Sequence, residues 1–231
     1  MMQLDEVTAR IIRERAALTE GRGLLVGLSG IDGSGKGYLA KQIEARLVRH
    51  SIAVANINAD GWLNLPHRRF SDNEPARHFY ENGIRLDEFF AGLLLPLRDQ
   101  RTITLTADYT EEAARDYRRH TYAFENIDVV LVEGIFIFKR EYRNLFDLAV
   151  WLDCSFSTAL ARALSRRQEG LSPALTIRAY DTIYFPAQRI HFERDKPREL
   201  ADLIVDNDDL FERRASLRVS NNLAASPETL F

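Results

Sequence analysis

Short apolar runs alternate with amphipathic helical patterns along most of the chain. The runs lie at residues 24–28, 52–57, 128–132, 148–152 and 201–205. Because the clearest of them are apolar on both faces, they predict strands of a buried parallel sheet. Helical patterns lie between or before them, at residues 4–20, 36–49, 84–98 and 156–168. Strands that alternate with helices predict an α/β fold, with a parallel sheet flanked by helices on both faces.

Two polar stretches interrupt this alternation. Residues 61–83 hold two prolines and many charges, and residues 106–126 are polar as well. We expect both to belong to a small substrate-side lobe or lid, inserted at about residues 61–126 of a single domain that spans residues 1–231. The chain gives little signal near its end, and we expect a tail at residues 212–231.

Composition narrows the range of functions. The chain has 231 residues, 45% of them hydrophobic, which suffices for a sizeable core. A net charge of −3 gives no reason to expect nucleic-acid binding. No apolar run approaches the ~18 residues of a membrane span. The first residues do not resemble a signal peptide. The chain has a single cysteine, Cys154, so it cannot form an internal disulfide. We therefore expect a cytoplasmic protein that binds neither nucleic acid nor membrane; formation of a homo-oligomer stays open.

The segment after the first apolar run has the strongest chemical signal. It matches the first seven positions of the Walker A pattern G-x-x-x-x-G-K. Glycines let consecutive backbone N–H groups point at phosphate oxygens, and the helix that follows aims its N-terminus at the same anion. A lysine at this position reaches the outer phosphates as a compact positive charge. The predicted ATP-binding residues are Gly30, Asp32, Gly33, Ser34, Gly35, Lys36, Gly37 and Tyr38.

The eighth position of the pattern departs from the rule. It should be Ser or Thr, whose hydroxyl binds Mg²⁺, but the chain has Gly37. Water could take the place of the hydroxyl, since protein-bound Mg²⁺ commonly keeps several waters. The alternative is a non-catalytic regulatory protein that binds nucleotide and turns it over poorly. We favour catalysis because the other parts of a phosphoryl-transfer site are present.

Two carboxylates follow predicted strands. Asp60 comes after the second strand, at the carboxyl end where ligands bind in parallel sheets. It could accept a proton from an attacking hydroxyl or help to hold a metal; a solvated turn aspartate before Gly61 is an equally good interpretation. Glu133 follows the strand at 128–132, in the position of a Walker B acid that holds Mg²⁺. The alternative for Glu133 is an acid that caps the strand end. Asp60 and Glu133 are the predicted metal ligands.

Basic residues near these segments could meet phosphate. Arg162 and Arg166 lie four apart in a helical pattern and share a face, with Arg167 beside them. Guanidinium groups suit a lid that closes over a transferring phosphate, although a solvated basic helix face deserves about equal weight. The basic stretches at residues 67–69 and 77–78 could meet an anionic substrate or form a solvated loop, and we slightly favour the loop.

Taken in order and spacing, these segments resemble the uridine kinase and phosphoribulokinase group of P-loop kinases. The resemblance runs from about residue 24 to 208 and includes the glycine loop, the Asp60 turn, the segment at 128–135 and the arginine helix. It implies a P-loop NTPase-type sheet with a lid, and a kinase that uses ATP and Mg²⁺ to phosphorylate a small-molecule acceptor. The catalytic residues that it implies are Lys36, Asp60, Arg162 and Arg166, with Glu133 supporting the metal.

The resemblance fails where uridine kinases recognise the nucleoside. In place of their Phe-Asp-His-Pro stretch the chain has Phe79-Tyr80-Glu81-Asn82, and in place of their histidine after an aromatic it has Asp108-Tyr109-Thr110-Glu111-Glu112. Missing hydrogen-bond partners cost a pocket much of its discrimination. The residues therefore support a kinase of a small sugar-containing metabolite better than a strict uridine kinase, and uridine or cytidine is the leading single guess for the acceptor because the resemblance covers most of the chain.

Thymidylate kinase is a rival resemblance. Its phosphate loop also has an aspartate like Asp32, but the Asp-Arg-Tyr that should follow a middle strand is absent. The chain has Arg115-Asp116-Tyr117 instead, in a different order and in a polar region. The sequence leaves the identity of the phosphate acceptor open.

Overall fold

The structure, a computed structural model, describes residues 2–18, 21–112, 114–166 and 170–208. Arg167 and the tail expected at residues 212–231 lie outside the described residues. The strands are β1 (Leu24–Gly30), β2 (Val54–Asn58), β3 (Ile103–Tyr109), β4 (Arg118–Phe124), β5 (Val129–Glu133), β6 (Leu148–Asp153) and β7 (Leu203–Asp206).

The helices lie before and between the strands of the sheet. They are α1 (Met2–Ala17), α2 (Lys36–Arg49), α3 (Pro66–Arg69), α4 (Pro75–Asn82), α5 (Leu86–Phe89), α6 (Leu95–Gln100), α7 (Arg140–Arg143), α8 (Phe156–Arg166), α9 (Pro173–Ala179) and α10 (Phe185–Asp195). A 3-10 turn covers Ala59–Trp62, and π-helical turns at Phe90–Leu94 and Tyr180–Tyr184 join α5 to α6 and α9 to α10. Among the described residues, no helix is long and apolar enough to cross a bilayer.

Five of the strands form one parallel sheet in the order β2-β5-β1-β6-β7. The predicted α/β fold is confirmed, and each of the five apolar runs becomes one of these strands with bounds shifted by two residues or fewer. The central strand β1 is buried along its whole length. Because the strands are parallel, β1, β2 and β5 present their carboxyl ends at one edge, where the ligand crevice of such sheets lies.

Helices cover both faces of the sheet, as predicted. On one face α1 and α2 pack against it through aliphatic residues such as Ile11, Ile43 and Leu47. The other face is rich in aromatic side chains and contacts α5, α6 and α10. Gly27 of β1 makes this second layer possible, because a Cβ there would meet the Phe138 ring at 2.5 Å.

The two polar stretches adopt regular structure that the pattern did not show. Residues 61–83 form two short helices, and β3 pairs with β4 as an antiparallel hairpin. The hairpin leans on the turn after β2, since the Thr110 amide donates to the Gly61 carbonyl at 3.1 Å. The sequence pattern of the hairpin is weak because β4 is mostly exposed; that residues 61–126 form a substrate-side lobe stays a prediction.

Both π-helical turns have a proline two residues beyond them, Pro96 in α6 and Pro186 in α10. Proline lacks an N–H and its ring crowds the carbonyl four residues earlier, so the preceding helical turn widens. The helix predicted at 84–98 is thus observed from 86 to 100 with a widened middle. The helices at 173–195 were missed, because α10 buries polar side chains, including Gln188, His191 and Asp195, and so lacks an apolar stripe.

Candidate active site

The glycine loop connects β1 to α2 at the carboxyl edge of the sheet. Gly33 and Gly35 have φ of +78° and +97°, which side chains rarely tolerate. A Cβ on Gly33 would also lie 2.6 Å from the Ala159 carbonyl of α8, so close approach of that helix requires glycine. Lys36 is buried, and its ammonium donates to the Ile31 carbonyl at 2.9 Å. The loop has the strand–loop–helix context that its motif demands; nucleotide binding by it stays a prediction.

Arg162 supports the loop from behind. Its guanidinium donates to the Ser34 carbonyl at 2.8 Å and to the Asn207 carbonyl at 2.6 Å. The Asn207 amide donates to the same Ser34 carbonyl at 2.6 Å. Sequence reasoning gave no signal for Asn207, which follows the short strand β7. These bonds connect Arg162 to the loop and to the end of β7; the catalytic role that the resemblance implies for Arg162 stays a prediction.

Arg166 occupies a different environment, one helical turn further along α8. It lines the cleft in front of the loop, with its Nη2 3.5 Å from an Asp32 carboxylate oxygen and 3.4 Å from the Tyr180 hydroxyl. Tyr180 also donates a hydrogen bond to Asp32. Arg166 therefore borders the cleft beside the loop; its contact with a phosphate stays a prediction.

Alanine substitutions should separate these two arginines. Arg162→Ala should lower the melting temperature by about 4 °C or more, because it removes two charge-assisted hydrogen bonds from the loop. Arg166→Ala should leave melting nearly unchanged and reduce turnover by ~10-fold or more. Thermal melting and steady-state ADP release measure the two effects. Equal losses of stability in both variants would contradict this division of roles.

Asp60 and Glu133 come together because β2 and β5 are neighbours. Asn58 at the end of β2 pairs in register with Glu133, and its side-chain oxygen accepts a hydrogen bond from the Asp60 amide at 2.6 Å. Glu133 is buried at the end of β5, and Asp60 is open to the cleft. The Cα of Gly37 lies beside Glu133, since a Cβ there would be 3.2 Å from the carboxylate.

The electrostatics of this pair suit a cation. Burial raises the pKa of Glu133 to about 7, and the charges of Asp60 and Asp32 add to the shift against the opposing effect of Lys36. The pKa of Asp60 is raised too, chiefly by the protein packed around the cleft floor and further by Asp32, again against Lys36. A divalent cation would relieve this crowding of negative charge.

The donor set also fits magnesium. No cluster of three or more His, Cys, Asp or Glu occurs within the described ranges. Two carboxylates facing phosphate are nevertheless the usual protein contribution to a Mg²⁺ site, because water and substrate phosphates supply the other ligands. Asp60 and Glu133 are thus the residues that would hold it.

One cleft of about 810 Å³ is lined by the carboxylates Asp60 and Glu133, by Arg166 and by six of the eight predicted ATP-binding residues, namely Asp32, Gly33, Gly35, Lys36, Gly37 and Tyr38, but not by Gly30, Ser34 or Arg162. This volume lies within the range of small-molecule sites. Beyond the loop and the acid pair, the lining includes Leu63, Arg69, Phe79, Tyr109, Thr110, Glu111, Glu112, Ala114, Ile135, Tyr184 and Gln188. The site therefore extends from the loop to α3, to the hairpin connection and to α10.

The residues that depart from uridine kinases separate into two groups. Glu111 and Glu112 line the cleft. Tyr80 does not: its side chain is buried and its hydroxyl donates to Asp195 at 2.6 Å. Glu81 is exposed and pairs with Arg77 at 3.1 Å. Only the mismatch at the hairpin therefore faces the predicted substrate.

Arg69 is a cleft residue that sequence reasoning did not separate from its neighbours. His67 and Arg68 are exposed as expected, but they lie in the short helix α3 and not in a loop. Arg69 is only 2% exposed and lines the cleft. A signal was present, since Arg69 follows the apolar Leu65 by four residues and so shares its face in a helical turn. Gln188 and Tyr184 were missed because the helices that position them were missed.

Comparison with known proteins identifies relatives of the chain. No protein-family model matches it. A uridine kinase of Staphylococcus haemolyticus is 26% identical over 186 residues, covering 78% of this chain and 86% of that protein. A uridine kinase of Macrococcus caseolyticus is 28% identical over 187 residues, with the same coverage of 78% and 86%. One of Limosilactobacillus reuteri is 30% identical over 148 residues, covering 63% and 65%.

Solved structures share the fold at lower identity. A possible uridine kinase from Bacillus stearothermophilus superimposes with a TM-score of 0.70 and 22% identity, covering 88% of this chain and 97% of that one. A putative fructose transport system kinase from Silicibacter also gives 0.70, with 21% identity and coverage of 89% and 100%. A D-glycerate 3-kinase from Cryptococcus neoformans gives 0.57, with 15% identity and coverage of 80% and 87%.

These relatives support phosphotransferase activity in general, while their different names leave the acceptor unassigned. The resemblance that the motifs indicated is confirmed: the chain is similar in sequence to uridine kinases and has the fold of P-loop kinases.

Proposed function

We propose that this protein is a kinase that transfers the γ-phosphate of ATP to a hydroxyl group of a small sugar-containing metabolite. One observation supports this most directly: a single cleft holds a Walker-type loop with Lys36 and, beside it, the paired carboxylates Asp60 and Glu133. Phosphoryl transfer needs these parts together, namely a cradle for phosphate, a proton acceptor and a place for a metal. We also propose that residues 1–231 form one kinase domain, with residues 61–126 contributing its substrate side.

Each residue has a role in this proposal. The amides of the loop and Lys36 hold the outer phosphates of ATP. The acceptor hydroxyl attacks the γ-phosphorus, the bond from that phosphorus to the bridging oxygen of ADP breaks, and Asp60 takes the hydroxyl proton. Asp60 suits this role because its carboxylate is open to the cleft beside Glu133. Arg166 offsets the negative charge of the moving phosphate.

Magnesium would supply charge neutralisation at the phosphates when bound. Glu133 and Asp60 would hold it from the protein side. Gly37 offers no hydroxyl, and its Cα lies against the Glu133 carboxylate. The missing ligand is therefore replaced by water in this proposal.

Metal dependence should respond to both positions. Glu133→Gln should raise the Mg²⁺ concentration for half-maximal activity by about 10-fold or more, because the amide is a neutral and weaker ligand. Gly37→Ser should fold, since the new Cβ meets only a side-chain carboxylate at 3.2 Å, and should lower the Mg²⁺ requirement. Mg²⁺ titrations of ADP release measure both effects.

Glu81→Gln is a matched control, because Glu81 is exposed and outside the cleft. It should keep the wild-type Mg²⁺ dependence. A Glu133→Gln enzyme that also kept it would remove Glu133 from the metal site.

The acceptor can be identified by ADP release with Mg-ATP and a panel of nucleosides, pentose and hexose phosphates, and pantothenate-like alcohols. Uridine and cytidine come first, because curated relatives are uridine kinases. Efficient phosphorylation of either would show that the mismatch at Glu111 and Glu112 is tolerated. Activity only on sugars or their phosphates would support a different acceptor on the same scaffold.

A non-catalytic nucleotide-binding regulator is the second candidate, and Gly37 is the observation that favours it. Such a protein should bind ATP without any acceptor-stimulated ADP release. A thymidylate kinase-like activity is a weaker alternative, which nucleoside monophosphates in the same assay would reveal.

A further inference from the structure

Arg69 places a buried positive charge on the cleft wall. Its side chain is only 2% exposed, and it reaches the cleft from α3, just after the Asp60 turn. One guanidinium nitrogen donates to the Glu112 carbonyl, the group lies 5.1 Å from the Phe70 ring, and Nε has no hydrogen-bond partner. Across the part of the chain that the structure describes, no carboxylate oxygen lies within the 4.0 Å of an ion pair with it. Burial lowers the pKa of this arginine, against the opposing effects of Glu112 and Asp60.

Gln188 presents a second unsatisfied group in the same cleft. It is 1% exposed on α10, and neither its amide nitrogen nor its oxygen has a partner in the described structure. Buried polar atoms are nearly always hydrogen-bonded, so an unpaired donor and acceptor at a cleft wall call for an explanation. A ligand with oxygen atoms would satisfy both.

These groups lie on the acceptor side of the cleft. The contacts of Arg69 are with the hairpin connection and α3, and none is with the glycine loop. It nevertheless interacts electrostatically with Asp60, the proposed base. A molecule whose hydroxyl reaches Asp60 would therefore extend its other end toward Arg69.

We propose that the phosphate acceptor carries an anionic group, either a phosphate monoester or a carboxylate, that Arg69 binds while Gln188 bonds a neighbouring oxygen of the same molecule. The planar guanidinium fork matches both anions in geometry and charge. This proposal rests on the proposed kinase function, and it names the class of acceptor within it. A neutral nucleoside would leave Arg69 without an ion-pair partner and its Nε without a hydrogen-bond acceptor.

Matched acceptors test the charge requirement. The probes are ribose with ribose 5-phosphate and glycerol with glycerate, so that one pair tests phosphate and the other carboxylate. With Mg-ATP, the wild-type enzyme should use an anionic member with at least ~10-fold higher kcat/KM than its neutral partner. Preference for the neutral member in both pairs would overturn the proposal while leaving the kinase function intact.

Variants show whether Arg69 is the cause of that preference. Arg69→Gln should lower kcat/KM for the preferred anion by about 10²-fold more than for its neutral partner, mainly through KM. Arg69→Lys keeps the charge without the fork and should lose less. Arg68→Gln, an exposed neighbour, should behave as wild type. Equal losses with charged and neutral acceptors would mean that Arg69 only supports the hairpin, and would overturn its role.

Gln188→Met separates binding from folding. It replaces two unsatisfied polar atoms by an apolar chain of similar shape, so the melting temperature should be unchanged or higher. We expect the KM for the anionic acceptor to rise several-fold nonetheless, since the acceptor loses its hydrogen bonds. An unchanged KM would remove Gln188 from the site.

A binding measurement distinguishes failure of this inference from failure of the kinase proposal. If none of the four probes stimulates ADP release, thermal melting with Mg²⁺ and a non-hydrolysable ATP analogue still reports binding. Stabilisation of the wild type by ribose 5-phosphate or glycerate, and its absence in Arg69→Gln, would support the anion site by itself. Absence of stabilisation by either anion in the wild type would overturn it.

Discussion

Replacing Lys36 by alanine is expected to reduce acceptor-dependent ADP release by at least ~10²-fold. The lysine extends across the glycine loop, and its ammonium donates to the Ile31 carbonyl at 2.9 Å. In the nucleotide complex the same charge would turn to the outer phosphates, where transfer concentrates negative charge. Titration with ATP and steady-state ADP release should both register the loss.

The fold should tolerate this change, because Lys36 borders the cleft and makes a single hydrogen bond within the loop. Lys41→Ala is the matched control: it lies on the same helix, α2, but is exposed and outside the cleft. Lys41→Ala should bind and turn over ATP as the wild type does. A folded Lys36→Ala protein with wild-type affinity and turnover would remove the loop from the mechanism.

The parts of the fold that the sequence predicts are those where one physical requirement determines the residues. A strand buried on both faces is mostly apolar, so β1, β5 and β6 could be predicted from continuous runs of apolar residues. A loop that wraps phosphate needs positive φ at defined positions, which Gly33 and Gly35 supply. Both features are local, so a single sequence suffices to find them.

The features of the fold and the site that the sequence did not predict depend on contacts with residues distant in the chain. In α10 the polar residues His191 and Asp195 are buried because they bond each other at 2.6 Å, which erases the expected apolar stripe. Arg162 and Arg166 share one helix face, but Ser34 and Asn207 bind only the first. The periodicity of the sequence does not show which polar residues of a helix are buried or bonded, because their hydrogen-bond partners can come from distant segments.

The division among the basic residues at 67–69 has the same origin. His67, Arg68 and Arg69 are adjacent in sequence, yet only Arg69 turns inward, where the Glu112 carbonyl accepts its hydrogen bond. That carbonyl belongs to the hairpin connection, which the pattern did not reveal. The sequence therefore could not predict the candidate acceptor site, whereas it did predict the phosphate loop.

Asp60→Asn is expected to reduce phosphoryl transfer by ~10²-fold or more while ATP still binds. The substitution keeps the shape of the side chain, and the backbone amide of residue 60 can still donate to Asn58. It removes a carboxylate whose pKa is raised by its surroundings in the cleft, and an amide cannot accept the hydroxyl proton in its place. The fold and the phosphate loop should be unaffected.

The two roles proposed for Asp60 can be separated by the choice of conditions. Loss of a metal ligand should be largely overcome by saturating Mg²⁺, whereas loss of the proton acceptor should persist there as a low kcat. Removing the Asp60 charge should also make the neighbouring Glu133 easier to ionise, because Asp60 contributes to its raised pKa; Glu133 would then hold Mg²⁺ at lower pH than in the wild type.

Asp72→Asn replaces an exposed carboxylate outside the cleft, so it serves as the control and should retain full activity. If Asp60→Asn recovered wild-type kcat at saturating Mg²⁺, Asp60 would be a metal ligand and the proton acceptor would have to be sought elsewhere in the cleft, beginning with Glu111 and Glu112.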